Sequence, residues 1–304
     1  MRDVIIVGAG PAGLTAGLYA ARARLDVVLF EKMSPGGQVL LTDIVENYPG
    51  FPDGISGFEL MDRMKRQAEG FGLPIEMTEV VGFKFASENK TVITDRGDEQ
   101  ARAVILACGA NPRKLGIPGE QLLTGKGVSY CATCDGPFYR DQVVAVVGGG
   151  DTAVEEALFL TKFAARVYLI HRRDRLRATK ILQERVMANE KVQIIWDTIP
   201  LKILGENGVE AIELKNVKSS ETRVLNVHGV FIFIGYEPNT QSVKGLLDLD
   251  EFGFIKTNAE MQTSVVGVFA AGDIRSKNLR QISTAIGEGA TAAFAAEKYL
   301  ESGA

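Results

Sequence analysis

Cysteine and histidine are scarce: three and two residues among 304. Three cysteines cannot staple a chain of this length, so a disulfide scaffold is excluded. The only close pair lies in Cys131-Ala132-Thr133-Cys134. A zinc site there would need two further ligands at similar spacing, which Cys108, His171 and His228 do not offer, and no metal is expected. Long hydrophobic runs are also missing. The stretches 230–234 and 265–271 are far too short to span a bilayer, so no membrane association is expected. An excess of positive charge is missing too, since 34 Lys and Arg stand against 38 Asp and Glu for a net charge of −4. A nonspecific nucleic-acid binder is thereby disfavoured. An apolar strand pattern is already running at residue 4, which leaves no length for a signal peptide and makes a cytoplasmic location the expectation. In a reducing compartment a close CxxC pair reads as redox-active or metal-binding.

What is plentiful is glycine, at 33 residues, in a chain that is 46% hydrophobic and 24% charged. That is the balance of an α/β protein with many tight turns, and the length suits two domains. Residues 3–7 and 26–30 are apolar runs flanking a helical pattern through Leu14, Leu18 and Ala21. Unbroken Val, Ile and Leu of this kind mark parallel strands buried on both faces. After a loop-rich stretch at 36–57, a helix is predicted over 58–71 and several short strands over 76–106. Pro112 and Pro118 mark a first crossing at 109–119. The pattern then restarts, with strands at 143–147 and 166–170 around a helix at 152–163. Short antiparallel strands follow over 201–227, and a second crossing falls at 235–245. A strand at 268–271 and an Ala-rich helix over 282–300 close the chain. Two halves on one plan resemble a duplicated unit with one copy inserted into the other.

Each half carries a glycine-rich turn between strand and helix. The first reads Gly8-Ala9-Gly10-Pro11-Ala12-Gly13, and Glu31 ends the next strand 23 residues after Gly8. Such a turn lets the backbone approach a pyrophosphate, which rests on the N-terminus of the following helix. The acid accepts hydrogen bonds from ribose hydroxyls and repels a 2′-phosphate, so this site should take an unphosphorylated ribose, as in FAD. Gly272-Asp273, late in the chain, either joins the same pyrophosphate site or caps the last helix. The second turn reads Gly148-Gly149-Gly150-Asp151-Thr152-Ala153, with Ala in place of the last Gly. Twenty-three residues on stands His171, followed by Arg172, Arg173, Asp174, Arg175, Leu176 and Arg177. A charge run is often a solvated face. Here the cations stand where the ribose acid would be, and guanidinium groups bind phosphate bidentately, so NADPH should be preferred to NADH.

A CxxC pair can close and open a disulfide. Asp135 follows directly and is a candidate proton carrier, although a turn residue before Gly136-Pro137 would look the same. Cys108, within an apolar run, reads as a core thiol, and His228 as structural.

Taken together these residues resemble the low-molecular-weight thioredoxin reductases, members of the class II pyridine nucleotide-disulfide oxidoreductases. The likeness covers essentially the whole chain. It rests on both turns, Gly36-Gly37-Gln38, Val45-Glu46-Asn47-Tyr48-Pro49-Gly50, Cys131 to Gly136, His171-Arg172-Arg173 with Arg177, and Ala270-Ala271-Gly272-Asp273 followed by Arg280-Gln281. The resemblance implies an α/β protein of two Rossmann-like three-layer nucleotide-binding domains. The NADPH domain (117–243) carries the CxxC and is inserted into the FAD domain (1–114 and 246–304). It also implies that electrons pass from NADPH through FAD to the Cys131–Cys134 disulfide and on to thioredoxin or a related redoxin, in a homodimer whose inserted domain rotates. Gly8, Gly10, Pro11, Ala12, Gly13, Glu31, Gly37, Gln38, Asn47, Gly272, Asp273, Arg280, Gln281 and Ile282 would surround FAD. Gly148, Gly150, Asp151, Thr152, Ala153, His171, Arg172, Arg173 and Arg177 would surround NADPH. Cys134 would face the flavin, Cys131 would attack the partner's disulfide, and Asp135 would move protons. The chain departs from the family at Val266, where a proline is usual. A flavin-dependent dithiol oxidase and a ferredoxin-driven reductase share the fold, but neither calls for the arginine cluster.

Overall fold

β1 (Arg2–Val7) rises into the first glycine turn, α1 (Pro11–Arg22) follows, and β2 (Val27–Glu31) returns parallel to β1 with Val4 opposite Val27 and Val7 opposite Phe30. This is a computed structural model, and it describes residues 1–42, 44–85 and 89–302. Asp43, 86–88 and 303–304, all inside the range expected for the FAD domain, lie outside the described residues. The apolar run of β1 is unbroken because both faces of its sheet are covered. Val4 and Ile6 enter one buried cluster with Leu14 and Ala292, while Ile5 and Val7 enter another with Val28, Phe30 and Val268. Each such side chain contributes roughly 1.5–3 kcal/mol when taken from water.

Ser56 caps α2 (Gly57–Gly70), its Oγ accepting the Glu59 amide at 3.1 Å. Then come β3 (Ile75–Met77), β4 (Val80–Lys84), β5 (Lys90–Thr94) and β6 (Gly97–Leu106). β6 is long enough to serve two partners. Its first half pairs antiparallel with β5 and its second half parallel with β1. The meander and the parallel strands thereby fuse into one sheet of order β3-β2-β1-β6-β5-β4, with β17 (Val268–Ala270) also on β6. α6 (Ile282–Glu301) packs on α1 so closely that a Cβ at Gly289 would lie 2.2 Å from Ala12 O.

The second half repeats the scheme with a difference. β9 (Val143–Gly148), α4 (Asp151–Leu160), β10 (Arg166–Ile170), α5 (Lys180–Met187) and β11 (Val192–Ile195) lead into β15 (Gly229–Phe233), and the parallel sheet runs β11-β10-β9-β15-β8, where β8 is Val128–Ser129. Val144 and Val146 again face one cluster, Ala145 and Val147 the other. Here the meander of β12 (Thr198–Leu204), β13 (Ala211–Asn216) and β14 (Thr222–Asn226) stays a separate antiparallel sheet. The chain breaks between β14 and β15 instead of continuing as β6 does.

The chain divides into two compact units, Met1–Asn111 with Glu237–Ala304, and Pro112–Tyr236. These boundaries fall earlier than 114 and 243, inside the connecting strands β7 (Ala110–Pro112) and β16 (Tyr236–Pro238). Asn111 Nδ2 donates to Asn239 Oδ1 at 3.0 Å and Asn239 N to Gly109 O at 3.1 Å, which ties both segments to the first unit. Among the described residues no helix is long and apolar enough to cross a membrane.

Candidate active site

The first cradle is assembled from segments far apart in sequence. Gly8 has φ +101°, and a Cβ there would meet Ala107 O at 2.6 Å. A Cβ at Gly13 would lie 1.8 Å from Gly8 O, so the turn closes only with glycine at both positions. At Gly10 a Cβ would meet nothing within 4 Å, and Gly37 stands against Gly10. The turn therefore has open space on its outer side. α1 has no side-chain cap, which leaves its first amides available to an anion. Glu31 Oε2 accepts the Ala9 amide at 2.8 Å and Oε1 the Met33 amide at 3.1 Å, which fixes the acid at the rim of the turn. Gly36 N donates to Ala9 O at 2.8 Å and brings the loop with Gly37 and Gln38 to the same place. Gln38 Nε2 in turn donates to Asn111 Oδ1 at 2.7 Å. Asn47 Nδ2 donates to Gln281 Oε1 at 3.0 Å across 234 residues, just before α6 begins at Ile282. The Arg280 guanidinium stacks over Phe254 at 4.2 Å.

Gly272, at φ +79°, brings Asp273 against α1, since a Cβ there would lie 2.9 Å from Ala12 Cβ. What holds this corner was not legible in the sequence. Glu288 Oε2 accepts the Gly272 amide at 2.7 Å, and its Oε1 lies 3.1 Å from Arg275 Nη1. Lys277 Nζ lies 3.3 Å from Glu288 Oε1, and 3.0 Å from Asp273 Oδ1 in an ion pair without hydrogen-bond geometry. Arg275, Lys277 and Glu288 are each more than four-fifths buried. Removing one member of such a cluster leaves its partners uncompensated, at a cost of roughly 3–5 kcal/mol. Glu288→Ala should accordingly lower the urea midpoint of the first unit's transition, and an unchanged midpoint would show that the cluster is dispensable. The signal available in the sequence was Gly287-Glu288-Gly289, an acid between two glycines inside a helix.

The second cradle is built differently. A Cβ at Gly148 would crowd the Ala153 methyl at 2.5 Å, so glycine at 148 tolerates alanine at 153. As in α1, α4 has no side-chain cap, and Gly150 has nothing within 4 Å of where a Cβ would be. Asp151 Oδ1 accepts the Thr179 amide at 2.6 Å and Arg177 N donates to Gly149 O at 2.7 Å, which straps the basic segment onto the turn. Leu176 and Ala178 are buried pegs, while Arg172, Arg173 and Arg177 stand exposed between and beside them. Thr152 is exposed at the helix start.

His171 has a different position from that of a phosphate-binding cation. It is 5% exposed, its Nδ1 lies 2.9 Å from Gly148 O, and a Cβ at Gly149 would strike its ring at 2.2 Å. Burial holds the imidazole below its ordinary pKa, Gly148 O opposes that, and Arg177 and Arg173 add to the lowering. His171 thus props the turn as a neutral ring, and the exposed positive charge of the segment is that of the arginines.

Cys131 and Cys134 are disulfide-bonded, with Cα atoms 5.3 Å apart at the start of α3 (Ala132–Asp135). Ser129 Oγ accepts the Cys131 amide at 3.1 Å and donates to Cys131 O at 3.2 Å. The Asp135 amide donates to Cys131 O at 3.1 Å. Asp135 has charge influence nearby: burial first, and then Asp135, pushes the Tyr139 hydroxyl up to about 12. Glu120, 2% exposed, accepts from Leu115 N, Gly116 N and Tyr130 Oη at 2.9, 2.7 and 2.8 Å, which anchors the residue before Cys131. Cys108 is pushed up to about 12 by burial and then by Glu31, so it is an inert thiol. Val266 is exposed and touches none of this. Among the described residues no three His, Cys, Asp or Glu side chains are placed to hold a metal.

Two uncapped glycine-turn cradles, one rimmed by an acid and one by arginines, together with a bonded dithiol, define a class: proteins that move electrons between nucleotides and a disulfide. A model of the pyridine nucleotide-disulphide oxidoreductases matches residues 2–289. A thioredoxin reductase of Peptoclostridium litorale is 49% identical, covering 98% of this chain and 97% of its own, and one of Streptomyces coelicolor is 48% identical, covering 99% and 94%. The crystal structure of thioredoxin reductase from Streptococcus pyogenes is similar at TM-score 0.95 and 48% identity, covering 99% of each chain. The chain belongs to the pyridine nucleotide-disulphide oxidoreductase family, and within it to the thioredoxin reductases. Use of a flavin and a nicotinamide cofactor goes with that family.

Proposed function

We propose that the chain is an NADPH-dependent thioredoxin-disulfide reductase, with FAD in the cradle of Gly8, Glu31 and Asp273 and NADPH in the cradle of Gly148 and the arginines. The observation that carries this reading is the opposition of charge at one equivalent position. Glu31 ends β2 at the rim of the first turn, whereas β10 runs out into His171 and a strapped display of Arg172, Arg173 and Arg177. An acid suits the bare ribose of FAD, and guanidinium groups suit a 2′-phosphate. Open space at Gly10 and Gly150 supports the fit of a pyrophosphate at both turns. A bound flavin supplies the two-electron link between a hydride donor and a disulfide.

The dithiol does the rest with its own atoms. The Cys131 thiolate attacks one sulfur of the partner's disulfide, a mixed disulfide forms, and the partner's second sulfur leaves with the electron pair. The Cys134 thiolate then attacks Cys131 Sγ, re-forming the Cys131–Cys134 bond and releasing the partner's other sulfur. Asp135 takes up and returns the proton at this pair. We also propose that the chain works as a homodimer in the cytoplasm. The half-exposed Tyr19 and Phe71 offer apolar surface for a partner subunit, and light scattering at the mass of one chain would overturn the dimer.

The purified protein should be yellow, with one FAD per chain, and should oxidise NADPH in proportion to added oxidised thioredoxin, with NADH a poor substitute. NADPH consumption that needs only oxygen and a small dithiol would favour a dithiol oxidase. Electron supply from reduced ferredoxin but not NADPH would favour the ferredoxin-driven reading.

A further inference from the structure

The two sulfurs of the pair are not equivalent. Cys131 Sγ receives the Cys134 amide at 3.2 Å and lies 3.3 Å from Thr133 Oγ1. A sulfur in a disulfide carries no hydrogen, so in this contact the Thr133 hydroxyl is the donor. Among the described residues no donor is directed at Cys134 Sγ. Ser129 holds the Cys131 backbone from both its amide and its carbonyl, so the sulfur is presented to these donors by a fixed main chain.

We propose that Thr133 is a catalytic residue of the dithiol exchange, its hydroxyl stabilising the negative charge that gathers on Cys131 Sγ. The proposal rests on the dithiol reading above and adds a residue to it. When two electrons that a bound flavin would supply enter the pair, the S–S bond breaks, one sulfur takes up a proton, and the charge left on Cys131 Sγ meets two donors. In the exchange with the partner's disulfide the same thiolate forms a new S–S bond, and the pair passes to the partner's leaving sulfur. A hydrogen bond to an ionised group is roughly twice as strong as one between neutral groups. The donor therefore favours the thiolate over the disulfide and gives the bond its polarity: Cys131 leaves and attacks, Cys134 resolves. Without it, charge would fall on either sulfur with less preference, and exchange would lose its order.

The test uses the full-length protein in a Cys134→Ser background, where Cys131 is the one thiol of the pair, and follows alkylation of Cys131 by iodoacetamide against pH with peptide mass detection. This readout needs no thioredoxin turnover. Thr133→Val, which keeps the shape and removes the hydroxyl, should move the profile to higher pH. At pH 7 it should slow alkylation roughly three- to tenfold, the lost thiolate being partly offset by its greater nucleophilicity. Thr133→Ser, which keeps the hydroxyl, should return the profile to that of the background protein. A Thr133→Val profile that superimposes on the background overturns the proposal. A Ser variant that shifts as far as Val also overturns it, because the effect then comes from packing. Loss of thioredoxin reduction in the unmutated chain would instead refute the function proposed above and leave this measurement unaffected.

Discussion

Cys134→Ser should leave NADPH able to bleach the flavin yet lower thioredoxin reduction by at least about a thousandfold, the scale on which enzymes lose rate with a nucleophile. The reason lies in the order of bond making. With Cys131 alone the first attack still occurs, but nothing within reach opens the mixed disulfide, and the protein stays linked to its partner. Cys131→Ser should be as inactive and should trap no partner, because the attacking sulfur itself is missing. Neither change touches the strap between Gly149, Asp151 and the basic segment, so nicotinamide binding has no cause to fall. Cys108→Ser is the control. A thiol pushed up to about 12 is not a thiolate at neutral pH and cannot replace either member of the pair. Stopped-flow flavin reduction alongside steady-state thioredoxin reduction separates the two half-reactions. Turnover near the unmutated rate in either variant would refute the dithiol's role.

The parts of the fold legible in the sequence were those with a strong local pattern. β1, β2 and β9 carry unbroken apolar runs because both faces are covered, and the two glycine turns follow from the close approaches at Gly8, Gly13 and Gly148. α5 and β15 were not read as elements. The eight residues of α5 bury only Leu182 and Val186, too few for a clear helical period, and β15 is a short apolar run whose period alone does not tell a strand from a buried helical segment. In the site, the arginines were legible because charge at a motif position has a direct meaning. The role of His171 was not, since whether a ring points at a ligand or under a glycine depends on packing against Gly149. Glu288, Lys277 and Arg275 were invisible for the same reason. They act on Gly272 and Asp273 through contacts between residues up to 16 apart, and no period or spacing encodes that. Thr133 was in plain view inside the CxxC, but its hydroxyl gained a role only once it was 3.3 Å from sulfur.

The largest change in cofactor choice should come from the arginine display. Arg172, Arg173 and Arg177 are exposed, and none is tied up by a carboxylate among the described residues, so their charge is available to a dianion. Their backbone is not loose. Arg177 N donates to Gly149 O at 2.7 Å, Leu176 and Ala178 are buried, and Arg173 O accepts the Asp197 amide at 3.2 Å. The ordering cost of the loop is therefore met before a ligand arrives, and the guanidinium groups lose only side-chain freedom on binding. A charge-assisted contact contributes about 1.5–3 kcal/mol, and solvent screening of exposed groups puts these at the lower end. Losing two such contacts then costs about 3 kcal/mol, on the order of a hundredfold in kcat/KM for NADPH. Arg172→Ala with Arg173→Ala should produce that loss chiefly through KM, because the 2′-phosphate is remote from the hydride and its binding is the same in ground and transition states. NADH, which lacks the phosphate, should be used almost as before, so the preference between the two cofactors collapses. Lysine at both positions should recover part of the loss but not all, since a point charge replaces a planar fork. Higher salt should weaken NADPH binding in the unmutated protein and much less in the double variant. Equal losses for NADPH and NADH would mean that the arginines hold the loop and not the phosphate, and the assignment of the second cradle would fall.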